Sequence, residues 1–420
     1  MKKINYILVF KSIMIIQFIY LFCSIELTGQ TESIPNPLIC TDGSKVTNSE
    51  TWFNKRHPEL LNLFETIEYG KTPGTADSIS SKIVSSKLIM DGKAKMNQIS
   101  LKVFIKGKYI IMNLLEIKPT KIEKPLTCFV GLNFDGNQTV LSDTSIRITD
   151  KWLIEYGKPD IVNNHATSLS RGIDSAQWSV RMIIEQGYAL ITCHSADIDE
   201  DRVNYDDGAQ SLFYKDGQSK PASGEWGTIG AWAWGMSRML DYVTTCKYFN
   251  SNTVIAIGHS RLGKTALWAA AQDKRFAAVI SNNSGCGGAA IFRNKKGEKI
   301  LNINTSFPHW FTDTFKNYNN RENELPFDQH ELLALIAPRP IYVASASLDQ
   351  WADPENEFLS IVETLPVYKI FNIKGLNELI KPVENVPQIG VLSYHLRKGN
   401  HDITPWDWEN YIKFADKFIR

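Results

Sequence analysis

The chain has 420 residues, of which 43% are hydrophobic, and its formal net charge at pH 7 is +1. A chain of this length and apolar content builds its core without a disulfide framework, which excludes the small disulfide-stapled scaffolds. The near-neutral charge argues against a nucleic-acid partner, which needs a basic face.

The N-terminal residues have the layout of a secretory signal peptide. Two early lysines precede an apolar run over residues 13–23, and small and polar residues follow over 24–30. The run is too short and too interrupted to span a membrane, and the bulky residues ahead of Cys23 do not suit a lipid anchor. We therefore expect a signal peptide over residues 1–29 and a secreted or periplasmic protein without stable membrane insertion.

The first predicted elements are a helix and an antiparallel hairpin. The helix is predicted around residues 57–67, within a stretch of mixed character over 31–90. Residues 95–118 form β-rich apolar stretches around Gly107-Lys108, which predicts a hairpin. A short buried strand is predicted over residues 128–134.

From residue 176 onward, predicted helices alternate with buried strands. Helices are predicted over residues 176–186, 228–244 and 262–272 and from Thr404 to the C-terminus, and strands over 188–193, 254–257, 276–281, 341–346 and 390–396. Such alternation predicts a mostly parallel sheet covered by helices on both faces. An antiparallel start before parallel strands is typical of the α/β-hydrolase fold, and no linker divides the chain. We therefore predict a single α/β-hydrolase catalytic domain over residues 30–420, with a helix and an irregular stretch over 350–388.

The segment over residues 254–268 has the pattern of a nucleophile elbow, the sharp strand-to-helix turn that exposes a catalytic serine. An apolar strand leads into Gly258-His-Ser260-Arg-Leu-Gly263, and a helix follows. Glycine suits so strained a turn, although the second glycine stands one position later than in the usual Gly-x-Ser-x-Gly pattern. The helix N-terminus directs backbone N–H groups at a developing oxyanion. Ser260 is therefore the predicted nucleophile.

The catalytic partners follow from chain order, which in this fold is serine, acid, histidine. His395 lies within the last predicted strand, whereas His401 follows that strand in a loop, so we predict His401 as the base. Asp349 follows the penultimate strand and is the predicted acid. Asp353 competes with it, but an Asp-Pro pair more often opens a turn or a helix.

Several long stretches resemble the bacterial glucuronoyl esterases of carbohydrate esterase family 15, which are 4-O-methyl-glucuronoyl methylesterase-like enzymes. The matching stretches are residues 225–235, 258–264, 282–290, 307–311, 325–340, 351–354 and 399–401. The resemblance covers most of the chain beyond the expected signal peptide. It implies hydrolysis of the ester between a glucuronic acid on xylan and an alcohol of lignin, through an acyl-enzyme on Ser260.

The resemblance also implies roles for residues around the nucleophile. Arg261 is the implied oxyanion residue, acting through its side chain and its backbone. Lys264 lies one helical turn after the serine on the same face and is implied to bind sugar hydroxyls. Trp351 and Glu298 are implied to be further sugar contacts.

One position departs from the pattern of many family members. They carry a catalytic Glu where this chain has Asn283, and an Asn side chain cannot take the charge that an imidazolium needs beside it. Other bacterial relatives use an Asp after the following strand, and Asp349 fits that arrangement.

Two other functions remain open at this stage. An acetyl xylan esterase would keep the same triad without needing Lys264 and Trp351 for a uronate. A non-catalytic carbohydrate-binding protein would use the fold alone.

The sequence predicts no cofactor and no metal site. The acidic run over residues 197–201 lacks the Gly and the terminal Glu of an EF-hand loop, so a solvated loop is expected there rather than a calcium site. No C-x-x-C or H-x-x-x-H spacing indicates zinc, and the five cysteines after Cys23 define no disulfide pairing. We expect a monomer whose partner is its polysaccharide ester substrate.

Overall fold

The computed structural model of the protein describes residues 34–374, 376 and 381–420. Residues 35–420 form one compact unit. The signal peptide predicted for residues 1–29 lies outside the described residues. Within the described ranges, no helix combines the length and the apolar character needed to cross a membrane.

The strands of the described chain form one large sheet and one small one. They are β1 (Ser78–Ile89), β2 (Ala94–Ile105), β3 (Lys108–Pro119), β4 (Leu126–Asn133), β5 (Ile161–Val162), β6 (His165–Ala166), β7 (Ala189–His194), β8 (Phe249–His259), β9 (Ala278–Asn282), β10 (Ile341–Ala346) and β11 (Leu392–Arg397). The large sheet has nine strands in the order β1-β2-β3-β7-β4-β8-β9-β10-β11. The pairs from β1 to β7 are antiparallel, and all later pairs are parallel. The predicted mostly parallel sheet with an antiparallel start is confirmed.

The helices cover both faces of this sheet. They are α1 (Ser49–Thr51), α2 (His57–Leu63), α3 (Ser175–Trp178), α4 (Val180–Glu185), α5 (Thr228–Thr245), α6 (Arg261–Gln272), α7 (Ile300–Ser306), α8 (Gln329–Ala334), α9 (Pro354–Lys369) and α10 (Pro405–Phe418). Successive residues of β4 and β8 enter two separate apolar clusters, as the alternation of a strand requires. Helices α5, α6, α8 and α9 pack into one cluster, and α4 and α10 into the other. This is the layering of the α/β-hydrolase fold predicted from the sequence.

Several predicted elements differ from the observed ones for identifiable reasons. Strand β1 was not predicted, because it is an edge strand of mainly exposed Ser and Lys residues with no apolar face. The helix predicted over residues 176–186 is two helices, since Ser179 adopts a left-handed conformation with φ of 42° between them. Helix α5, predicted over residues 228–244, is buried around most of its circumference.

The parallel strands place their following loops along one edge of the sheet. Strands β8, β9, β10 and β11 are neighbours, and their carboxyl ends lie at residues 259, 282, 346 and 397. In open α/β sheets ligands bind at this edge. The predicted catalytic residues all follow one of these strand ends.

Candidate active site

The nucleophile elbow has the strained backbone that its sequence predicts. Ser260 has φ of 54° and ψ of −129° between β8 and α6, and its N–H donates to Asn282 O at 2.9 Å. A Cβ added at Gly258 would lie 1.9 Å from Leu262 O, so the turn accepts only glycine there. The chain therefore reverses tightly enough to present the serine at the N-terminus of α6.

The predicted acid and base form a hydrogen-bonded pair. His401 Nδ1 lies 2.6 Å from Asp349 Oδ2, with the imidazole 43% exposed and the carboxylate 5% exposed. Burial is the largest single influence and would raise the pKa of Asp349, but the hydrogen bond and charge of His401, together with hydrogen bonds from Asn283 and Ala352 N, outweigh burial and lower that pKa. The carboxylate is therefore ionised at neutral pH and able to orient the imidazole and stabilise its protonated form.

Asn283 contacts the same carboxylate. Its Nδ2 donates to Asp349 Oδ2 at 2.7 Å, and its N–H donates to Ala344 O at 2.7 Å. The side chain is buried and its backbone has φ of 46°. Position 283, where many members of the family that the sequence resembles carry Glu, thus holds a neutral donor that supports Asp349.

Asp353, the competing carboxylate, serves a helix instead. It is the N-cap of α9 and accepts from Asn356 N at 3.2 Å and from Lys296 N at 2.8 Å. No hydrogen bond joins it to His401 in the described structure. This is the helix-opening role that the Asp-Pro pair predicted.

His395, which was predicted to lie within the last strand, is fully buried in β11. It hydrogen-bonds to Tyr342 Oη and to Asp407 Oδ1. His259, beside the nucleophile, packs 4.5 Å from the His401 ring centroid, and burial lowers its pKa to about 3. His259 therefore stays neutral, and its ring packs against the His401 imidazole without adding charge.

All seven predicted site residues line one cleft of about 310 Å³. They are Ser260, Arg261, Lys264, Glu298, Asp349, Trp351 and His401. Phe307 and Trp310 complete part of its wall. An open cleft with a serine, a buried lysine and aromatic walls suits a sugar that carries an ester.

The residues predicted to contact a sugar come from segments that contact one another. Lys264 is 4% exposed and donates to Ser284 O. Burial lowers its pKa, while the Glu298 carboxylate opposes that shift. The N–H of Glu298 donates to Trp351 O at 2.9 Å. The indole of Trp351 is itself 58% exposed, so it is free to stack on a ligand.

Arg261 is anchored by Asp201, which was not among the predicted site residues. Its Nε lies 2.9 Å from Asp201 Oδ2, and its guanidinium carbon lies 4.6 Å from the Phe134 ring centroid. Asp201 Oδ1 also accepts from His309 Nε2 at 2.9 Å and from Trp310 Nε1 at 2.7 Å. The signal available in the sequence was that an arginine beside a nucleophile needs a counter-charge.

The expectation that residues 197–201 form a solvated loop is wrong. Asp197, Asp199 and Glu200 are buried, and the Asp201 side chain is only 10% exposed. The loop tolerates burial because arginines and side-chain donors pair with several of its carboxylates; Arg202, for example, contacts Glu200 at 2.7 Å. Within the described residues, no group of three or more His, Cys, Asp or Glu side chains is arranged to hold a metal ion.

Known proteins that resemble this chain in sequence are named as carbohydrate or glucuronoyl esterases. A family model described as "Glucuronyl esterase, fungi" matches residues 165–372. "Carbohydrate esterase MZ0003", from an unknown prokaryotic organism, is 42% identical over 91% of this chain and 89% of its own length. "4-O-methyl-glucuronoyl methylesterase" from Phanerochaete carnosa is 30% identical over 81% of this chain and 73% of its own length.

Solved structures that resemble this chain are also described as esterases. "Glucuronoyl Esterase from Solibacter usitatus" superposes with a TM-score of 0.85 at 40% identity, covering 91% of this chain and 97% of that one. A structure described as a promiscuous CE15 esterase from a marine bacterial metagenome has a TM-score of 0.85 at 42% identity, covering 92% and 97%.

Proposed function

The chain belongs to the glucuronoyl esterases of carbohydrate esterase family 15, and we propose that it hydrolyses esters of glucuronic or 4-O-methyl-glucuronic acid through an acyl-enzyme on Ser260. The protein is a carboxylic ester hydrolase. The observation that carries the proposed mechanism is the single cleft that holds Ser260, the Asp349–His401 pair and the buried Lys264.

In the first half-reaction, the Ser260 hydroxyl attacks the uronate carbonyl carbon while His401 takes its proton. Asp349 keeps the imidazole in the tautomer whose free nitrogen faces the serine. His401 then gives the proton to the leaving alcohol. In the second half, His401 takes a proton from the water that attacks the acyl carbon. His401 then gives this proton to Ser260 Oγ as the acyl C–O bond breaks, which releases the uronic acid and restores the hydroxyl.

The negative charge that develops on the carbonyl oxygen needs prepared donors. Arg261 lines the cleft directly after the nucleophile, and backbone N–H groups at the N-terminus of α6 face the same side. We assign oxyanion stabilisation to these groups. Each is in position before the reaction begins, so little reorganisation is needed in the transition state.

The substrate class follows from the opposite side of the cleft. Lys264 supplies a buried cation, Glu298 supplies an acceptor and Trp351 supplies an exposed ring, which together match the hydroxyls, the ring face and the polarity of a uronate. Relatives are named 4-O-methyl-glucuronoyl methylesterases. We extend this to the ester links between lignin alcohols and glucuronoxylan.

The setting of the reaction is part of the proposal. Residues 1–29 act as a signal peptide, and residues 30–420 act as one catalytic domain outside the cytoplasm, either secreted or periplasmic. The enzyme works as a monomer on a polysaccharide ester and needs no cofactor.

A panel of esters tests the function: benzyl glucuronate, methyl glucuronate, methyl galacturonate and acetylated xylan. We expect the glucuronates to be the best substrates. Preference for acetylated xylan would favour the acetyl xylan esterase alternative, and no turnover of any ester would favour a binding protein.

The Ser260→Ala variant is the control for the mechanism. It should fold normally and lose about 10⁴-fold or more in turnover, because the acyl-enzyme cannot form. His401→Ala should be similarly damaged. Substantial esterase activity in the Ser260→Ala protein would show that another nucleophile is at work.

A further inference from the structure

Asp201 joins three separate segments of the chain beside the cleft. It ends the acidic loop that follows β7, it forms an ion pair with Arg261 of the nucleophile elbow, and it accepts hydrogen bonds from His309 and Trp310. Both of its oxygens are used, one for the guanidinium and one for the two ring N–H groups. A single side chain therefore links the oxyanion residue to the aromatic wall of the cleft.

The ion pair with Asp201 involves Nε of Arg261 and not its two terminal nitrogens. Asp201 engages Nε, and the face of Phe134 supports the guanidinium at 4.6 Å. Neither terminal nitrogen of Arg261 donates a hydrogen bond to another residue in the described part of the chain, although the side chain lines the cleft. An arginine side chain loses rotamer freedom when it is ordered, and restricting it in advance lowers the cost of stabilising an oxyanion.

The Asp201 carboxylate is ionised at neutral pH. Burial by itself would raise the pKa of Asp201, but Arg261 and His309 outweigh burial and hold that pKa below its usual range. The side chain is 10% exposed, so solvent screens the ion pair only partly.

We propose that Asp201 is a positioning residue for ester hydrolysis, which holds the Arg261 guanidinium toward the oxyanion and the Trp310 indole in the cleft wall. This inference rests on the proposed function. Asp201 lies behind Arg261 and acts on the reaction only through that residue and through the shape of the wall.

Asp201→Asn is the informative substitution because it keeps the volume of the side chain. Its amide oxygen still accepts from Trp310, but its Nδ2 then faces Arg261 Nε, donor against donor. We expect kcat on benzyl glucuronate to fall by about 10- to 100-fold, less than the loss of an oxyanion donor itself, while KM changes by less than about threefold. A purely structural role would lower the melting temperature and the amount of active enzyme instead.

Asp207→Asn is the matched control. Asp207 lies six residues later and pairs with Arg202 at 3.2 Å rather than with Arg261, and it does not line the cleft. We expect its kcat to stay within about twofold of the wild type, as for a substitution away from the reacting groups.

A double-mutant cycle with Arg261→Ala decides whether Asp201 acts through the arginine. We expect Asp201→Asn to lower kcat in the wild type and to change it by less than about threefold in the Arg261→Ala background. Independent, multiplying losses would overturn the proposal, as would an Asp201→Asn enzyme with wild-type kcat.

The same cycle on 4-nitrophenyl acetate separates this inference from the substrate assignment. Every ester develops an oxyanion, so the coupling between Asp201 and Arg261 should persist on the acetate. If the acetate shows the coupling and no glucuronate is turned over, the proposed function fails while the positioning role stands. A protein inactive on all esters would overturn both.

Discussion

At the scale of single residues, one oxygen of Asp349 accepts hydrogen bonds from both His401 and Asn283. His401 and Asn283 differ in whether they need the negative charge of Asp349. In the proposed mechanism the imidazole becomes charged, whereas the amide stays neutral throughout. The charge of Asp349 therefore matters for His401, and Asn283 mainly fixes the direction of the carboxylate.

Asp349→Asn should reduce turnover of benzyl glucuronate by about 10⁴-fold, because the histidine loses its tautomer and its counter-charge. Asn283→Ala should cost about tenfold, in line with one lost hydrogen bond to a charged group. Asp353→Asn is the comparison and should cost less than about tenfold, since asparagine is also a good N-cap and one hydrogen bond, from Lys296 N, is lost.

The measurement is kcat/KM for the three variants, with the melting temperature of each. A near-normal Asp349→Asn enzyme beside a folded but inactive Asp353→Asn enzyme would show that the wrong carboxylate has been named. Asn283→Glu in the Asp349→Asn background should restore part of the rate, because position 283 already reaches the site of the lost carboxylate.

The sugar-side residues should separate substrates from one another. Lys264→Met and Trp351→Ala should each lower kcat/KM on benzyl glucuronate by about tenfold or more, the worth of a hydrogen bond to a charged group in the case of Lys264. Neither should change hydrolysis of 4-nitrophenyl acetate by more than about threefold, since that ester has no sugar to hold.

Leu348→Ala is the control for the tryptophan. Leu348 is on the same loop and equally exposed, at 62%, but it does not line the cleft. Equal losses on both esters in the Lys264 or Trp351 variants would mean that these residues support the fold and not the recognition of the uronate.

At the scale of elements, the loops after the strands hold one another rather than standing alone. The segment over residues 295–298 is bonded to the loop over 350–353 through Lys296 N and Asp353 and through Glu298 N and Trp351 O. A Cβ at Gly297 would lie 2.2 Å from Trp351 O, so the two loops touch along their backbones. These contacts therefore hold the two predicted sugar contacts, Glu298 and Trp351, together.

Helix α9 supports this region with a buried carboxyl group. Glu357 accepts from Gly285 N at 2.9 Å and from Ser345 Oγ at 2.6 Å. Burial raises the pKa of Glu357 to about 7. Since this pKa is above that of the unfolded chain, the stability it contributes is complete below pH 4.5 and is lost as the pH rises through 7.

Glu357→Gln should therefore gain thermal stability relative to wild type as the pH rises from 4.5 to 8, up to roughly 3 kcal/mol in free energy of unfolding. The check is the melting temperature of both proteins across that range. Glu355→Gln on the same helix is the control for a surface carboxylate. Glu355 is 74% exposed and pairs with the exposed Lys296, so the substitution should change the free energy of unfolding by less than about 1 kcal/mol. A difference that shrinks with rising pH for Glu357→Gln would contradict the assignment.

At the scale of the whole molecule, the core holds the fold together without cross-links in the described residues. Cys40, Cys128, Cys193, Cys246 and Cys286 are all free thiols, and all but Cys246 are buried. Burial raises the pKa of several of these thiols, with Cys193 well above its usual value. They behave as small apolar side chains.

Reducing agent should consequently leave thermal stability unchanged. The melting temperature with and without dithiothreitol should agree within about 1 °C, whereas the loss of a native disulfide typically costs 2–5 kcal/mol. A clear drop in the reduced sample would show a cross-link between cysteines. The five single Cys→Ser variants would then identify the pair.

Much of the fold could be predicted because its signals are local in the chain. Buried strands such as β10 and amphipathic helices such as α10 carry their periodicity within a few residues, and the elbow at Ser260 is a continuous motif. The edge strand β1 lacks an apolar face, and the break at Ser179 depends on a single backbone conformation. Neither feature leaves a periodic pattern to detect.

The sequence by itself determined the order of elements, the nucleophile elbow and the positions of the candidate acid and base, because each is written in neighbouring residues. Only the tertiary structure decided which side chains meet. Arg261 and Asp201 are 60 positions apart in the chain, and Asn283 and Asp349 are 66 positions apart. The order of the strands and the paths of the loops that follow them bring each pair together. A carboxylate in an acidic loop is solvated or buried according to its partner, and that partner comes from elsewhere in the fold.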